Sequence, residues 1–334
     1  MSVFTNIFKE FDKLKVMVIG DVMVDSYLWG KVNRISPEAP VPIVNVVKRE
    51  KRLGGAANVA LNLMALGASP VLVSVIGQDS DGDDFMNLLK DQNFSTEGIH
   101  CSENRPTTIK HRVLGGTQHL LRVDAENTEL LDQKENEALK RKIEMLIGDC
   151  DALIFEDYDK GVISEDLIDF VVKKCKEKNI PVAVDPKKRN FLAYKQADLF
   201  KPNLKELREG LNIEIIPNDK SSLKIASDSL RKELNHNMTL LTLSEHGIFY
   251  DGKTSDLIPA HRREISDVSG AGDTVISIAT CCKALDLPES LLAELSNLGG
   301  GLVCEHVGVV PIEKDTLLEE AINSIDPARH GLGR

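Results

Sequence analysis

Apolar residues recur along the chain in two rhythms, short continuous runs and longer segments with helical spacing. Six short β-rich runs indicate buried strands, at residues 15–20, 69–77, 152–157, 181–185, 199–203 and 239–244. Between them, apolar positions spaced three and four residues apart predict helices at about 57–66, 82–91, 132–147, 165–178 and 220–234. This alternation predicts an α/β fold in which a mainly parallel central sheet has helices on both faces. Ligands of such sheets bind beyond the carboxyl ends of the strands.

Two β-rich segments interrupt this alternation, because no helical pattern separates their strands. They cover residues 26–50 and 107–124, and the second predicts a hairpin around Gly115 and Gly116. We expect them to form a small β lid inserted into the α/β body. Beyond residue 270 the pattern is mostly helical, and no repeat, low-complexity tract or linker interrupts the chain. A single domain over residues 1–334, with the lid inside it, is therefore the preferred organisation.

Composition and charge exclude several classes of partner. Of 334 residues, 41 are Lys or Arg and 52 are Asp or Glu, and the formal net charge of −11 argues against a nucleic-acid partner or an anionic membrane surface. No apolar stretch approaches the roughly 20 residues that cross a bilayer. The N-terminal segment has the spacing of a short amphipathic helix rather than of a signal peptide. We therefore expect a cytoplasmic protein whose six cysteines are reduced and mostly buried.

The segment Asp267–Thr274, DVSGAGDT, is the sharpest chemical signal in the chain. Gly270, Ala271 and Gly272 precede an apolar helical pattern, so their backbone N–H groups can converge at a helix N-terminus and bind an anion such as phosphate. Asp273 fits a general base, because its carboxylate can take a proton from an attacking hydroxyl while the amides stabilise the transferred group. The alternative is that Asp273 only caps the helix.

Two further motifs carry groups suited to a ligand with several hydroxyls. Gly54 and Gly55 allow the backbone to approach a ligand closely, and Asn58 offers a donor and an acceptor to a sugar hydroxyl. An ordinary glycine turn leading into a helix is the alternative for this motif. At the end of the first strand, Asp25 can accept hydrogen bonds from hydroxyls at the ligand-binding edge. Nearby Asp21 fits a solvated loop position better.

One match to a phosphate-binding loop has the wrong context. Residues 247–254, GIFYDGKT, have the spacing of a Walker A motif, which requires a flexible glycine-rich turn that leads into a helix. Their interior is bulky and β-prone, so we predict a hairpin with its turn at Asp251 and Gly252. A nicotinamide dehydrogenase is also disfavoured, because GDVMVD stands at the end of the first strand where a dinucleotide fingerprint would need GxGxxG.

The segments GGAANVALNLMALG (54–67) and DVSGAGDT (267–274) together resemble, in order and separation, the two signatures of the ribokinase-like (PfkB) sugar kinases. RISPEAPVPIV (34–44) is also similar to the heptose-phosphate kinases of ADP-heptose synthesis. The resemblance implies ATP-dependent phosphorylation of D-glycero-D-manno-heptose 7-phosphate at C1, which gives the 1,7-bisphosphate used for the lipopolysaccharide core. The alternatives are a kinase of this fold for another sugar or nucleoside, and a non-catalytic regulator that binds sugar phosphates.

The resemblance also implies roles for individual residues. Asp273 becomes the catalytic base, and the amides of Gly270, Ala271 and Gly272 become the anion hole. The implied sugar contacts are Asp25, Gly54, Gly55 and Asn58. The implied nucleotide contacts are Asn203, Glu206, Ser244, Glu245, Gly247, Ser269, Gly272 and Asn297, among which Asn203 and Glu206 match the NxxE element of the family. The expected cofactors are ATP and Mg²⁺, the latter held through water by Glu206, with K⁺ near Asp267.

A sugar phosphate requires cations, which this acidic chain must supply locally. Lys160, Asp185 and Lys187 come at or after the ends of predicted strands, and Arg122 approaches from the predicted lid. We expect these four residues to contact the substrate and its phosphate. We further expect a homodimer formed through the lid, because inserted sheets with exposed edges seek cover. The chain contains no HxGH-type motif, so a separate nucleotidyltransferase is expected downstream.

Overall fold

The computed structural model describes residues 2–116, 118–261 and 263–332, which form an α/β body and a second, smaller sheet. The strands are β1 Lys15–Gly20, β2 Val22–Ile35, β3 Pro42–Gly55, β4 Ser69–Gly77, β5 Ile99–Ser102, β6 Ile109–Gly115, β7 Gln118–Ala125, β8 Ala152–Glu156, β9 Val182–Asp185, β10 Leu199–Phe200, β11 Met238–Thr242, β12 Ile248–Asp251 and β13 Ser255–Ile258. The helices are α1 Val3–Phe11, α2 Ala56–Ala65, α3 Ser80–Asp91, α4 Gln133–Leu146, α5 Glu165–Lys178, α6 Leu204–Leu211, α7 Lys220–Leu234, α8 Ala271–Ala284, α9 Glu289–Val303 and α10 Lys314–Ser324.

The larger sheet has the strand order β13-β12-β11-β10-β9-β8-β1-β4-β5. The strands from β11 to β5 in this order are parallel, and β12 and β13 form an antiparallel hairpin at the edge. The register aligns the carboxyl ends of three central strands, because Gly20 pairs with Glu156 and Glu156 pairs with Asp185. The sheet therefore presents these residues side by side at one edge, the edge at which α/β proteins bind ligands.

Helices cover both faces of this sheet, and β1 shows how the chain divides its apolar side chains between them. Val16 and Val18 belong to a core that includes buried residues of α1, α2, α8 and α9. Met17 and Ile19 point to the opposite face, into a core with α4, α5 and α7. Buried strands of parallel sheets are apolar on both faces for this reason. The predicted α/β architecture, with a mainly parallel sheet between helices, is confirmed.

Helix ends follow local sequence signals, and one of them places residues at the ligand edge. At the start of α6, the side chain of Asn203 accepts from the Glu206 amide at 2.8 Å, while the side chain of Glu206 accepts from the Asn203 amide at 2.8 Å. This reciprocal capping box stabilises the first turn of the helix. It also fixes both side chains just beyond the carboxyl end of β10.

The second sheet has the order β3-β2-β6-β7 and contains the two β-rich segments that interrupt the α/β pattern. We call it the lid sheet. It extends further towards the body than the sequence pattern indicates, since β2 begins at Val22 and β3 continues to Gly55. The strands β6 and β7 form the predicted hairpin, and Gly116 in its turn has a φ of 65°, which favours glycine.

Every predicted strand run contains a strand, but two elements were not predicted. The run 199–203 contributes only the two residues of β10, because Asn203 already caps α6. The strand β5 has four residues and α6 has eight, so neither has a long periodic pattern. Residues 247–254 supply the first strand and the turn of the predicted hairpin, whose second strand is β13, and the Gly252 amide donates to the Thr254 carbonyl at 2.9 Å. Among the described residues, no helix combines the length and the apolar character that a membrane span requires.

Candidate active site

Asp273 lies in the first turn of α8, beside the carboxyl ends of β8 and β9. The helix begins after Gly270, whose φ of 83° lies in the left-handed region that glycine adopts without strain. The Asp273 side chain is buried, with 7 % of the residue exposed. One of the three predicted anion-hole amides, that of Ala271, donates a long 3.3 Å hydrogen bond to the Val268 carbonyl. The helix dipole adds positive potential at this point.

Two side chains from distant segments hold the Asp273 carboxylate. The Asn58 Nδ2 group, on α2, donates to Oδ2 at 2.5 Å, and the Tyr158 hydroxyl donates to Oδ1 at 3.0 Å. Asn58 is brought there by the glycine pair that ends β3, so the two motifs singled out in the sequence meet directly. A carboxylate that accepts one hydrogen bond on each oxygen has a fixed orientation, which suits a base that must meet a hydroxyl at a defined angle.

The surroundings of Asp273 raise the pKa of its carboxyl group towards neutral pH. Burial raises the pKa of Asp273 to about 6, and the negative charge of Asp185 acts in the same direction. The hydrogen bonds from Asn58 and Tyr158 and the positive charge of Lys201 limit this rise in pKa. Asp273 is thus mostly ionised at pH 7, yet it holds a proton more readily than an ordinary aspartate, which is the balance a general base needs.

Asp273 belongs to a buried group of three carboxylates. Oxygens of Glu156, Asp185 and Asp273 lie within 4.8 Å of one another. Lys201 Nζ lies 2.7 Å from Asp185 Oδ2 and is itself buried, so it offsets part of the negative charge. Burial raises the pKa of Glu156 well above its usual range, and its Oε2 atom has no hydrogen-bond partner among the described residues. Hard carboxylate oxygens in this arrangement fit a divalent cation such as Mg²⁺.

A cleft of about 450 Å³ opens beside Asp273 and has two chemically different ends. Its polar end is formed by Asp185, Lys187, Lys201, Asn203 and Glu206. Its other end includes apolar side chains and glycine backbone, namely Ile248, Ile265, Val275, Gly300 and Gly301, and the side chain of Arg263 lies against Gly301. A nucleoside triphosphate has matching chemistry, since its base is flat and apolar on both faces and its phosphates are charged.

Most of the predicted nucleotide contacts line this one cleft. They are Asn203, Glu206, Ser244, Glu245, Gly247, Gly272 and Asn297. At the apolar end, Asn297 Nδ2 donates to the Pro259 carbonyl at 2.9 Å and so is held in place. At the polar end, Lys187 Nζ lies 2.5 Å from Glu206 Oε1. The amide of Ser269, the remaining predicted contact, donates to Asp267 Oδ1 at 2.9 Å instead of facing the cleft.

Comparison with known proteins decides the family. Residues 13–315 match the family described as pfkB family carbohydrate kinase, which covers most of the chain. The chain belongs to the pfkB family. It is therefore a sugar kinase, and the buried carboxylate at the start of α8 faces the cleft of a phosphotransferase.

The pfkB chain is also similar to curated proteins named bifunctional protein HldE. It is 41% identical to the protein of Methylobacillus flagellatus over 311 residues, which cover 92% of this chain and 63% of that protein. It is 38% identical to the protein of Wolinella succinogenes over 293 residues, which cover 88% of this chain and 61% of that protein. The kinase chain thus spans about three fifths of the length of these relatives.

Solved structures confirm the ribokinase-like fold of this kinase. Phosphofructokinase-2 from Escherichia coli, in a complex with potassium, superposes with a TM-score of 0.74 at 16% identity, over 92% of this chain and 97% of that chain. Ribokinase from Arabidopsis thaliana, in a complex with ribose and ATP, superposes with a TM-score of 0.70 at 16% identity, over 92% of this chain and 99% of that chain. At this identity the likeness concerns the fold.

The predicted sugar-side residues of the kinase lie where the lid sheet joins the body. Asp25 on β2 forms an ion pair with Arg112 on β6 and packs against the Gly54 backbone. A Cβ at Gly54 would lie 2.4 Å from Asp25 Oδ2, so the glycine is needed for this close approach. Gly55 has a φ of 62°, and a Cβ there would lie 2.3 Å from the Asp21 carbonyl oxygen. Glycine at both positions is thus explained by the backbone geometry.

The predicted phosphate-binding cations do not converge on one point. Lys187 contacts Glu206 at the polar end of the nucleotide cleft, and Lys160 Nζ forms a 2.8 Å ion pair with Glu126. Arg122 lies on the edge strand of the lid sheet, where its side chain is 62% exposed and pairs with Asp124 at 3.0 Å. Asp185, predicted to contact the substrate, pairs with Lys201 at 2.7 Å in the carboxylate group.

Asp267, the predicted K⁺ ligand, accepts two backbone hydrogen bonds. Its Oδ1 accepts from the Ser269 amide and its Oδ2 from the Gly308 amide, each at 2.9 Å. These hydrogen bonds outweigh the effect of burial and lower the pKa of Asp267. The carboxylate ties residues 267–269 to the loop before α10, and K⁺ binding at this place stays a prediction.

The expectation that Asp21 is solvated is wrong. Asp21 is 1% exposed and accepts hydrogen bonds of 2.9 to 3.1 Å from the amides of Tyr158, Lys160 and Val162. Burial and the nearby Asp157 raise the pKa of Asp21 to about 6. Its role is structural, because these three amides define the loop that carries Tyr158 to Asp273.

Four residues of the site were missed in the sequence. They are Arg112, Glu156, Tyr158 and Lys201. Tyr158 stands in the same DYDKG segment as Lys160, and Lys201 stands in LFKPN two residues before Asn203. For Glu156 and Tyr158 the available signal was their position at or after the end of a predicted strand, which is the signal that selected Lys160 and Asp185. Lys201 lies inside the predicted run 199–203 and Arg112 lies in the middle of β6, so this signal does not select them.

Proposed function

We propose that this kinase uses ATP to phosphorylate the C1 hydroxyl of D-glycero-D-manno-heptose 7-phosphate. The observation that carries the proposal is the contact between Asn58 and Asp273, which joins the sugar-side motif to a buried carboxylate at a helix N-terminus. The similarity to the bifunctional proteins HldE and the segment RISPEAPVPIV at 34–44 support heptose phosphate as the sugar. Because ATP and sugar phosphates are metabolites of the cytoplasm, the kinase acts there.

The reaction is a direct transfer that needs no covalent intermediate on the enzyme. Asp273 takes the proton of the C1 hydroxyl, and the sugar oxygen attacks the γ-phosphorus in line with the leaving oxygen of ADP. Asn58 and Tyr158 hold the carboxylate in position for this proton transfer. The amides at the start of α8 stabilise the charge that spreads over the transferring oxygens, and each such donor contributes roughly 3 kcal/mol to lowering the barrier.

The polar end of the cleft supplies the remaining positive charge. Lys187 and Lys201 lie there among carboxylates, and both stay protonated because Asp185 and Glu206 raise the pKa of each lysine despite burial. Asp185, Glu156 and Glu206 are the residues that would hold Mg²⁺, which supplies positive charge to the phosphate oxygens of bound nucleotide. Lys187 therefore serves the phosphates of ATP in this proposal, and the phosphate of the sugar binds elsewhere.

Substrate competition tests the proposal. Purified kinase is given ATP with heptose 7-phosphate, ribose, fructose or adenosine, and ADP release and the ³¹P spectrum of the product are recorded. We expect kcat/KM to be highest for heptose 7-phosphate, with a new anomeric phosphate signal. Preference for an unphosphorylated sugar or for adenosine would contradict the heptose assignment and would leave the sugar-kinase chemistry at Asp273 intact.

We also propose that the lid sheet forms a homodimer. Its face away from Asp25 carries exposed apolar side chains on three strands, Val32, Val46, Leu121 and Val123. The register places all four on one side of the sheet. Exposed apolar faces of this kind are usually covered by a partner, and a second copy offers an identical apolar face.

A further inference from the structure

The lid sheet turns a second, polar face towards the reaction centre. Asp25 pairs in register with Lys110, and Tyr27 pairs with Arg112, so these four side chains share one side of β2 and β6. The guanidinium of Arg112 lies over the Tyr27 ring at 5.3 Å, which confirms this arrangement. The same side faces the loop before α10, because a Cβ built on Gly308 would lie 3.3 Å from Arg52 Nη1.

Most cations and carboxylates on and beside this face form pairs, and among the described residues the exceptions are Lys110 and, further out at the exposed end of β2, Lys31 and Arg34. Arg112 pairs with Asp25, Lys160 pairs with Glu126 and Arg122 pairs with Asp124. Lys110 lies near Asp25, Lys160, Asp124 and Glu126, yet its ammonium makes no ion pair or hydrogen bond within residues 2–116, 118–261 and 263–332. Beside Asp25, Lys110 is therefore the half-buried cation whose charge is left for a ligand.

The surroundings of Lys110 favour the binding of an anion. Lys110 is half-buried, and its burial and the positive charge of Lys160 lower its pKa. An ammonium that has lost part of its hydration without gaining a partner is unfavourable, and a bound anion offsets that loss. A phosphate can take one hydrogen bond from Lys110 and more from the neighbouring guanidinium of Arg112.

The position of Lys110 also decides which phosphate it meets. The phosphates of ATP face Lys187 and Lys201 at the polar end of the nucleotide cleft, whereas Lys110 stands beside Asp25 on the sugar side. We propose that the Lys110 ammonium, assisted by Arg112, binds the phosphate group that the sugar substrate already carries. This inference rests on the proposed function, since it requires a sugar phosphate as the acceptor.

The test is the Lys110→Met variant, which keeps the length of the side chain and removes its charge. KM and kcat are measured for heptose 7-phosphate and for the same heptose without its phosphate. We expect Lys110→Met to raise KM for heptose 7-phosphate at least tenfold, with kcat and the KM for ATP within twofold of wild type. The unphosphorylated heptose should lose no affinity, and Lys110→Arg should recover most of the affinity for the phosphorylated one.

The matched control is Lys48→Met, because Lys48 lies on the same side of the lid sheet but further out, is 63% exposed and pairs with Glu50. We expect this variant to behave as wild type. If Lys110→Met keeps the wild-type KM for heptose 7-phosphate, the subsite is refuted while the proposed function stands. If the wild type prefers sugars without a phosphate, both proposals fail together. Equal circular dichroism melting curves for the variants exclude a folding defect.

Discussion

Asn58 Nδ2 donates a 2.5 Å hydrogen bond to Asp273 Oδ2, although the two residues are 215 positions apart in the chain. Each stands in one of the two motifs that carry the chemistry, and each motif alone has an ordinary structural explanation. Their contact favours the proposed catalytic roles, because a helix cap needs no buried amide from another helix to orient it. In the proposed reaction, the pair joins the segment that binds the sugar to the base that activates its hydroxyl.

Replacing Asp273 by Asn removes the base and keeps the shape of the side chain. We expect kcat to fall by about 10²–10⁴-fold, the usual contribution of a positioned general base. Binding of ATP, followed by nucleotide titration, should change little because the cleft keeps its lining. Asp256→Asn is a suitable control, since Asp256 is an exposed residue of β13 that pairs with Lys220. Retention of more than a tenth of the wild-type kcat by Asp273→Asn would rule out its role as the base.

Tyr158→Phe tests how the pKa of Asp273 is set. The Tyr158 hydroxyl donates to Asp273 Oδ1 and so lowers the pKa of this carboxylate. Burial acts in the opposite direction and raises the pKa to about 6. Without this hydrogen bond the pKa rises further, and activity, which requires ionised Asp273, is lost at a higher pH. The acid limb of the kcat/KM profile should shift upwards, with a larger loss of activity at pH 6 than at pH 8.

Phenylalanine keeps the aromatic ring that lies 5.4 Å below the Lys187 ammonium, so the variant isolates the hydroxyl. The measurement is kcat/KM for the sugar between pH 5 and pH 9, at saturating ATP. An acid limb that stays in place, or that shifts to lower pH, would show that this hydrogen bond does not control the base.

The fold could be predicted from the sequence because its signals are local. The apolar runs of β1, β4 and β8, and the small residues before α8, each lie within a dozen positions of chain. The burial of Asp21 could not be predicted from such local signals. Its amide partners come about 140 residues later in the chain, and nothing near Asp21 indicates that they will enclose it.

The ion pairs that the cations of the site form could not be predicted from local sequence either. Lys160 and Lys187 follow the ends of β8 and β9, and their binding of substrate phosphate stays a prediction. Lys187 pairs with Glu206 because the capping box of α6 holds that carboxylate in place. Pairings of this kind depend on the positions of side chains across strands. They also explain why the sequence did not single out Lys110, which has no ion-pair partner among the described residues.

Lys201 should prove important for stability as well as for activity. Lys201 and Asp185 form an ion pair in which both side chains are less than 10% exposed, with exposures of 3% and 6%. Removing one partner of a buried pair leaves the other charge uncompensated, which costs about 3–5 kcal/mol. We expect Lys201→Met to lower the free energy of unfolding in urea by this amount at pH 7, and to reduce kcat.

A double variant separates the lost pair from a loss of packing. Lys201→Met combined with Asp185→Asn removes both charges, so its free energy of unfolding should lie above that of Lys201→Met alone. The matched control is Lys13→Met, because Lys13 and Glu10 form an exposed ion pair that contributes less than about 1 kcal/mol. Equal stability of the single and double variants would mean that the charge of Asp185 is not the cause.

Leu121→Glu tests whether the apolar face of the lid sheet holds two copies together. Leu121 is 57% exposed on β7, beside Val123 and on the side of the sheet away from Asp25. A carboxylate there would have to be buried in the dimer interface without a partner, which is strongly unfavourable, whereas the monomer would leave it in water. In sedimentation velocity at micromolar concentration, we expect the wild type to run as a dimer and Leu121→Glu as a monomer. Met145→Glu, at a 75% exposed position on α4, should remain a dimer. A monomeric wild type, or a dimeric Leu121→Glu, would show that the lid sheet is not the interface.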